Sequence, residues 1–177
     1  MYASRVVHSL GTEYAGAAVC ESRLNTCLSM RIDGFFFPDD RLYLVEHQMW
    51  ARASEDGTVW VGGTELGMNM AGDIYMCRVK SPGTLVEQGK GIALVELAKS
   101  IISVKSPLSG VVLQVNERLS GEPELLNRAP YEDGWMAVVK PSDWEREQRH
   151  LIRVGDALRA AVEETLRLFR LDNDPQG

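Results

Sequence analysis

Cysteine and histidine are scarce, three of each in 177 residues. Cys20, Cys27 and Cys77 are an odd set, which does not suit a disulfide framework in a chain of this size. The six residues between Cys20 and Cys27 match no common zinc spacing. They read as reduced thiols, with a redox-active Cys20/Cys27 pair as the alternative. His8, His47 and His150 show no paired-ligand spacing either. No apolar run approaches the roughly 18 residues of a membrane helix, so no membrane partner is expected. There is no basic excess: 19 Lys and Arg against 25 Asp and Glu give a net charge of −6. That balance argues against a nucleic-acid partner. His8, Thr12 and Glu13 interrupt any signal-peptide core, and Glu13 and Glu21 do not suit a transit peptide, so the cytoplasm is the expected location. Neither a phosphate-cradling loop nor a nucleophile elbow is present. Asp39-Asp40 and Glu163-Glu164 read as solvated charge rather than acid/base pairs.

What the chain does contain is an ordinary globular composition, 45% apolar and 25% charged. Residues 1–37 have scattered apolar side chains without a clear period and read as an N-terminal extension, its end pinned by Phe35-Phe36-Phe37. Residues 38–140 read as short strands separated by turns. The expected strands are Leu42–Val45, Thr58–Val61, Ile74–Val79, Ile92–Leu97, Ile101–Val104, Val111–Val115 and Trp135–Val139. Turn signals between them include Gly62-Gly63, Ser81-Pro82-Gly83 and Ser106-Pro107. Strands at this spacing predict a mostly β antiparallel sandwich or barrel. Val79-Lys80-Ser81-Pro82 recurs as Val104-Lys105-Ser106-Pro107, a hint of two similar halves. Residues 141–177 turn helical. Ser142-Asp143-Trp144-Glu145 has the form of a capping box with Ser142 at the cap. After Gly155, Leu158, Ala161, Val162, Leu166 and Phe169 fall on one helical face.

The most informative stretch runs from Gly83 to Lys99. Gly83 and Gly89 bracket a turn in which Val86 points inward. Ile92 and Leu94 are expected to alternate inward along a strand that ends near Glu96. Lys99 then sits where the chain turns back toward Ile101-Ile102. A lysine at a hairpin tip offers its amine on a four-carbon stem to a modifying enzyme.

This stretch resembles the biotinyl/lipoyl attachment pattern: glycine, valine three on, glycine three further, a strand, glutamate and lysine, followed by Ser106-Pro107-Leu108-Ser109-Gly110. Further blocks resemble the glycine cleavage H-protein family. They are Asn116-Glu117-Arg118-Leu119, Pro123-Glu124-Leu125-Leu126-Asn127, Pro130-Tyr131-Glu132-Asp133-Gly134-Trp135, His47 with Trp50, Gly62-Gly63-Thr64 and Ala71-Gly72-Asp73-Ile74. The resemblance implies a lipoyl/biotinyl-type flattened barrel-sandwich of short antiparallel strands with C-terminal helices. It implies covalently bound lipoate on Lys99, with Glu96 helping the lipoylating enzyme, a lipoate ligase or lipoyl transferase, to choose this lysine. It also implies a non-catalytic carrier that serves glycine decarboxylase, aminomethyltransferase and dihydrolipoyl dehydrogenase.

The chain departs from that family's usual pattern at several points. H-proteins usually read Glu-Ser-Val-Lys-Ala, where this chain has Glu96-Leu97-Ala98-Lys99-Ser100. The usual His-Glu-Trp is spread as His47-Gln48-Met49-Trp50. The opening Phe37-Pro38-Asp39-Asp40 and Trp50-Ala51-Arg52 is similar to lipoate-binding proteins that serve heterodisulfide-reductase-like sulfur-oxidising enzymes. A sulfur intermediate is therefore the alternative cargo. Biotin sites normally flank the lysine with methionines, whereas Ala98 and Ser100 stand here.

Overall fold

The computed structural model describes residues 29–172, so the reading of Cys20 and Cys27 lies outside the described residues. The strands are β1 (Met30–Ile32), β2 (Phe35–Phe37), β3 (Leu42–Leu44), β4 (Met49–Ala53), β5 (Val59–Gly63), β6 (Ile74–Val79), β7 (Leu85–Val86), β8 (Gly91–Leu97), β9 (Ile101–Lys105), β10 (Gly110–Val115) and β11 (Ala137–Pro141). The helices are α1 (Glu65–Ala71), α2 (Leu125–Arg128), α3 (Trp144–Glu147) and α4 (Asp156–Asp172).

Two antiparallel sheets form the body, a six-stranded one in the order β3-β4-β5-β11-β10-β7 and a three-stranded one in the order β6-β8-β9. This is the expected flattened barrel-sandwich of short strands. Leu44, Met49, Val61, Ile92, Val95 and Val112 belong to the core between the sheets. Strand alternation sends Tyr43, Trp50 and Trp60 to the opposite face of the larger sheet, where they meet a second cluster. That cluster draws on all three expected segments: Ile32 and Phe37 from the β1–β2 hairpin, Tyr43 and Trp50 from the sheet, and Leu158, Val162 and Leu166 from α4. The β3 residues Leu42, Tyr43 and Leu44 are consequently all buried. A strand covered on both faces shows no polar alternation in its sequence.

Several expectations need correction. The apparently aperiodic end of the N-terminal extension contains an antiparallel hairpin whose turn places Asp33 and Gly34 at φ 49° and 92°. Phe37 is buried as expected, and Phe35 and Phe36 are partly buried. Strand β4 was not anticipated, because Met49-Trp50-Ala51 is apolar on both faces. Val45 begins a 3-10 turn rather than ending a strand. The last strand is Ala137–Pro141, two residues later than Trp135–Val139. The cap of α3 is Asp143, whose carboxylate accepts from the Arg146 N–H at 3.1 Å, and not Ser142. The residue three beyond this cap is arginine, so no capping box forms. The helical face from Leu158 to Leu166 is as expected.

Asp40 is not merely solvated. It pairs with the Arg41 guanidinium, which is buried and stacks over the rings of Trp50 (4.8 Å) and Tyr131 (5.3 Å). Burial pulls the Arg41 pKa below its ordinary value, and Asp40 opposes that shift. Among the described residues no helix is long and apolar enough to cross a membrane.

Candidate functional site

The Gly83–Gly89 turn forms as the sequence predicts. Both glycines take left-handed φ values, 86° and 76°, and Val86 is buried. Strand β8 follows. Its expected phase is only half right: Ile92 points inward, but Leu94 points outward and is 47% exposed. The register shifts between Gly91 and Ala93 on pairing with β9, so that Ile92 and Ala93 are both buried and the inward phase continues through Val95. One inserted residue reverses every later side chain on a strand of period two.

Strands β8 and β9 form a hairpin with Glu96 opposite Ile101. The Leu97 N–H donates to the Ser100 carbonyl at 2.8 Å, leaving Ala98 and Lys99 as the tip. Neither residue has positive φ, so the tip uses neither of the primed turns that favour Asn-Gly. This explains why no glycine marks it in the sequence. Lys99 is exposed and makes no side-chain hydrogen bond or ion pair among the described residues. Glu96 is likewise exposed, on the outer face of β8 beside Ile101 of β9 and Met76 of β6. Thus Lys99 and Glu96 lie close along one hairpin, the first at its tip and the second on its shaft.

The opposite end of the hairpin is held firmly. The Ser109 N–H and hydroxyl both donate to the Glu147 carboxylate, at 2.6 and 2.5 Å. The Gln88 N–H donates to Ser109 Oγ at 2.9 Å, and its side-chain amide donates to the Pro107 carbonyl at 2.9 Å. His150 Nδ1–H donates to Gln88 Oε1 at 2.8 Å. This clamp joins α3 to the Ser106–Gly110 turn, so the strands that carry Lys99 are rooted in a braced scaffold. The roles of Gln88, Glu147 and His150 were not read from the sequence. Their partners are 19 to 62 residues away along the chain, beyond the reach of local patterns.

Beside the hairpin lies a groove of about 410 Å³ whose walls include Leu97, Ile102, His47, Met68 and Phe169. Its lining is largely apolar, and Phe169 is contributed by α4. Among the described residues no group of three or more His, Cys, Asp or Glu side chains could hold a metal ion. The conspicuous chemical resource of the hairpin is therefore an exposed primary amine on a fixed turn. Such a group can be acylated.

Comparison with known proteins identifies the scaffold. The family described as glycine cleavage H-protein matches residues 41–164. Glycine cleavage system H protein 2 of Aquifex aeolicus is 38% identical over 130 residues, covering 73% of this chain and 81% of that protein. The glycine cleavage system H protein of Saccharophagus degradans is 40% identical over 109 residues, covering 62% of this chain and 83% of its own length. The crystal structure of the glycine cleavage system H protein from Mycobacterium marinum superposes with a TM-score of 0.55 at 29% identity, over 59% of this chain and 86% of that one. These names give the sulfur-carrying alternative no support. With the motifs, the sandwich and the matched span in agreement, the chain belongs to the glycine cleavage H-protein family.

Proposed function

We propose that this chain is a non-catalytic lipoyl carrier of the cytoplasm, with the arm attached in amide linkage to Lys99. The observation that carries this reading is Lys99 at the tip of the β8–β9 hairpin, exposed and unpaired among the described residues, in a chain of this family. The residues present fit the group. The lysine amine is accessible, the turn beneath it is closed by a backbone hydrogen bond, and Glu96 stands close by as a landmark for the attaching enzyme. Residues 38–140 form the carrier unit, residues 1–37 extend it at the N-terminus, and residues 141–177 are a C-terminal segment whose helices brace it.

When bound, the lipoyl group supplies a disulfide that opens to a dithiol, carrying an aminomethyl unit and reducing equivalents among glycine decarboxylase, aminomethyltransferase and dihydrolipoyl dehydrogenase. The chain's own contribution is positional. The hairpin fixes the root of the arm, and the Glu147–Ser109 clamp keeps the hairpin's base from shifting. Acylation removes the lysine charge, which lowers the desolvation penalty for entering a partner's cleft.

The test is glycine-dependent release of carbon dioxide by glycine decarboxylase supplied with the lipoylated chain. Release that requires the lipoylated wild type, and is lost with Lys99→Arg, is the expected result. Arginine keeps the positive charge, but its delocalised guanidinium is a poor nucleophile. No release from a fully lipoylated wild type would overturn the glycine-cleavage cargo.

A further inference from the structure

The outer face of the β6-β8-β9 sheet ends at Lys99 and carries an unusual charge pattern. Residues directly opposite one another in the register share a face. One outward row is therefore Arg78, Leu94 and Ser103, and the next is Met76, Glu96 and Ile101. Leu94 and Ile101 are 47% and 64% exposed, and Tyr75, at the irregularity in β6, is 61% exposed. A groove of about 490 Å³ runs over this face, with Arg78, Lys80, Leu94 and Ser103 among its walls.

Residues 73–105 hold five cations, Arg78, Lys80, Lys90, Lys99 and Lys105, against three carboxylates, a local charge of +2 in a chain of −6. Among the described residues every ion pair lies outside this segment. Elsewhere this protein pairs its arginines readily, as Arg118 does with Glu122 and Asp133. On this face Arg78 and Glu96 stand diagonally across adjacent strands without pairing. Arg78 and Lys80 also lack any acidic side chain in the groove they line.

We infer that this face docks the enzyme that acylates Lys99, and that this enzyme presents carboxylates to Arg78 and Lys80 around an apolar contact with Leu94 and Ile101. The inference rests on the reading of Lys99 as the attachment site. Reach selects the occupant. A bare lysine stem extends only about 6 Å, so an enzyme acting on that amine must close onto the hairpin and cover the adjoining sheet face. Enzymes that act at the far end of a completed arm are not required to cover this face in order to reach their reacting atoms. Arg78 lies about 15 Å from the tip along the strands at ~3.3 Å per residue, within an ordinary protein footprint. In the step itself the Lys99 amine attacks the activated carboxyl carbon of lipoate. The amide C–N bond forms, the activating nucleotide from ATP leaves with the bond electrons, and one proton passes to water.

The test follows lipoylation of the full-length, unmodified chain by a lipoate–protein ligase with ATP and lipoate, read by intact mass. The double variant Arg78→Glu/Lys80→Glu is expected to raise KM roughly tenfold or more at low salt, with kcat little changed, because charges at the edge of an interface act mainly on encounter. Its rate should not share the wild-type decline with added salt. Its urea midpoint should match the wild type, since neither side chain is paired among the described residues. Arg149→Glu, an exposed reversal at the braced end of the molecule, should leave KM unchanged. A double variant lipoylated with wild-type KM and wild-type salt dependence would overturn the docking face alone. A wild type that accepts no lipoyl group would remove the Lys99 reading together with it.

Discussion

A buried thiol, the buried phenol of Tyr43 and the partly buried phenol of Tyr131 shape how this protein responds to alkali. Cys77 lies on the inner face of β6, opposite Val95, and burial pushes its pKa from 9.0 up to about 12. Burial also raises Tyr43 and Tyr131 well above the usual phenol range. In each case the folded value exceeds the unfolded one, so the stabilisation is complete below the unfolded pKa. It is lost as pH rises toward the folded value, because the unfolded chain ionises first. For Cys77 that window opens near pH 9 and closes near 12. Urea midpoints should fall as pH rises through this window, and Cys77→Ala should fall less steeply than the wild type. An equal slope for both would exclude Cys77 as a contributor. At this scale the place of Lys99 just past β8, at the tip of a hairpin, was legible, because its spacing from Gly83, Val86 and Gly89 puts it there. The sequence did not reveal the outward turn of Leu94, which depends on one inserted residue in the register of β8. Nor did it reveal the burial of Arg41, which reads as a surface arginine beside Asp39 and Asp40 until Trp50 and Tyr131 close over it.

Among the elements, α3 is four residues long, and its contribution is out of proportion to its length. It delivers Glu147 to Ser109 at the base of the turn that precedes β10. Its N-terminus depends on the Asp143 carboxylate. Asp143→Ala should therefore cost about 1 kcal/mol, the usual loss for a removed cap. Ser142→Ala should be nearly neutral, because the backbone N–H of Ser142, not its hydroxyl, bonds Ser109. The two urea midpoints measured side by side decide the assignment. A larger loss for Ser142→Ala would restore the capping box expected from the sequence. Ser and Asp are both good caps and stand adjacent, so sequence alone could not choose between them. Strands β6 and β8 to β10 were legible because they alternate or are flanked by turn residues. Strand β4 was not, since its side chains are apolar on both faces, and β7 is only two residues long.

The whole molecule is knit by the cluster that joins the N-terminal hairpin, the larger sheet and α4. Leu158 is fully buried in it. Leu158→Ala should cost ~2–5 kcal/mol, as large-to-small core changes do, and should lower a single cooperative transition followed by tryptophan fluorescence. A separate early loss of helix with the tryptophan signal unmoved would show that α4 folds apart from the sheets. The apolar face of α4 was visible in the sequence, but its seat against β1 and the 3-10 turn that begins at Val45 was not, because that contact spans more than a hundred residues. The same holds for the excess of cations along residues 73–105, since a net charge of −6 conceals it until β6, β8 and β9 pair into one sheet.

The carrier reading turns on whether the amine at the tip of the β8–β9 hairpin is the one that is acylated. The most direct measurement is the intact mass of the full-length chain made in a cell with working lipoylation enzymes, followed by peptide mapping of the modified residue. One lipoyl group per chain, in amide linkage at Lys99, is the expected result. An unmodified chain from such a cell, or a lipoyl group mapped to any other lysine, would contradict it.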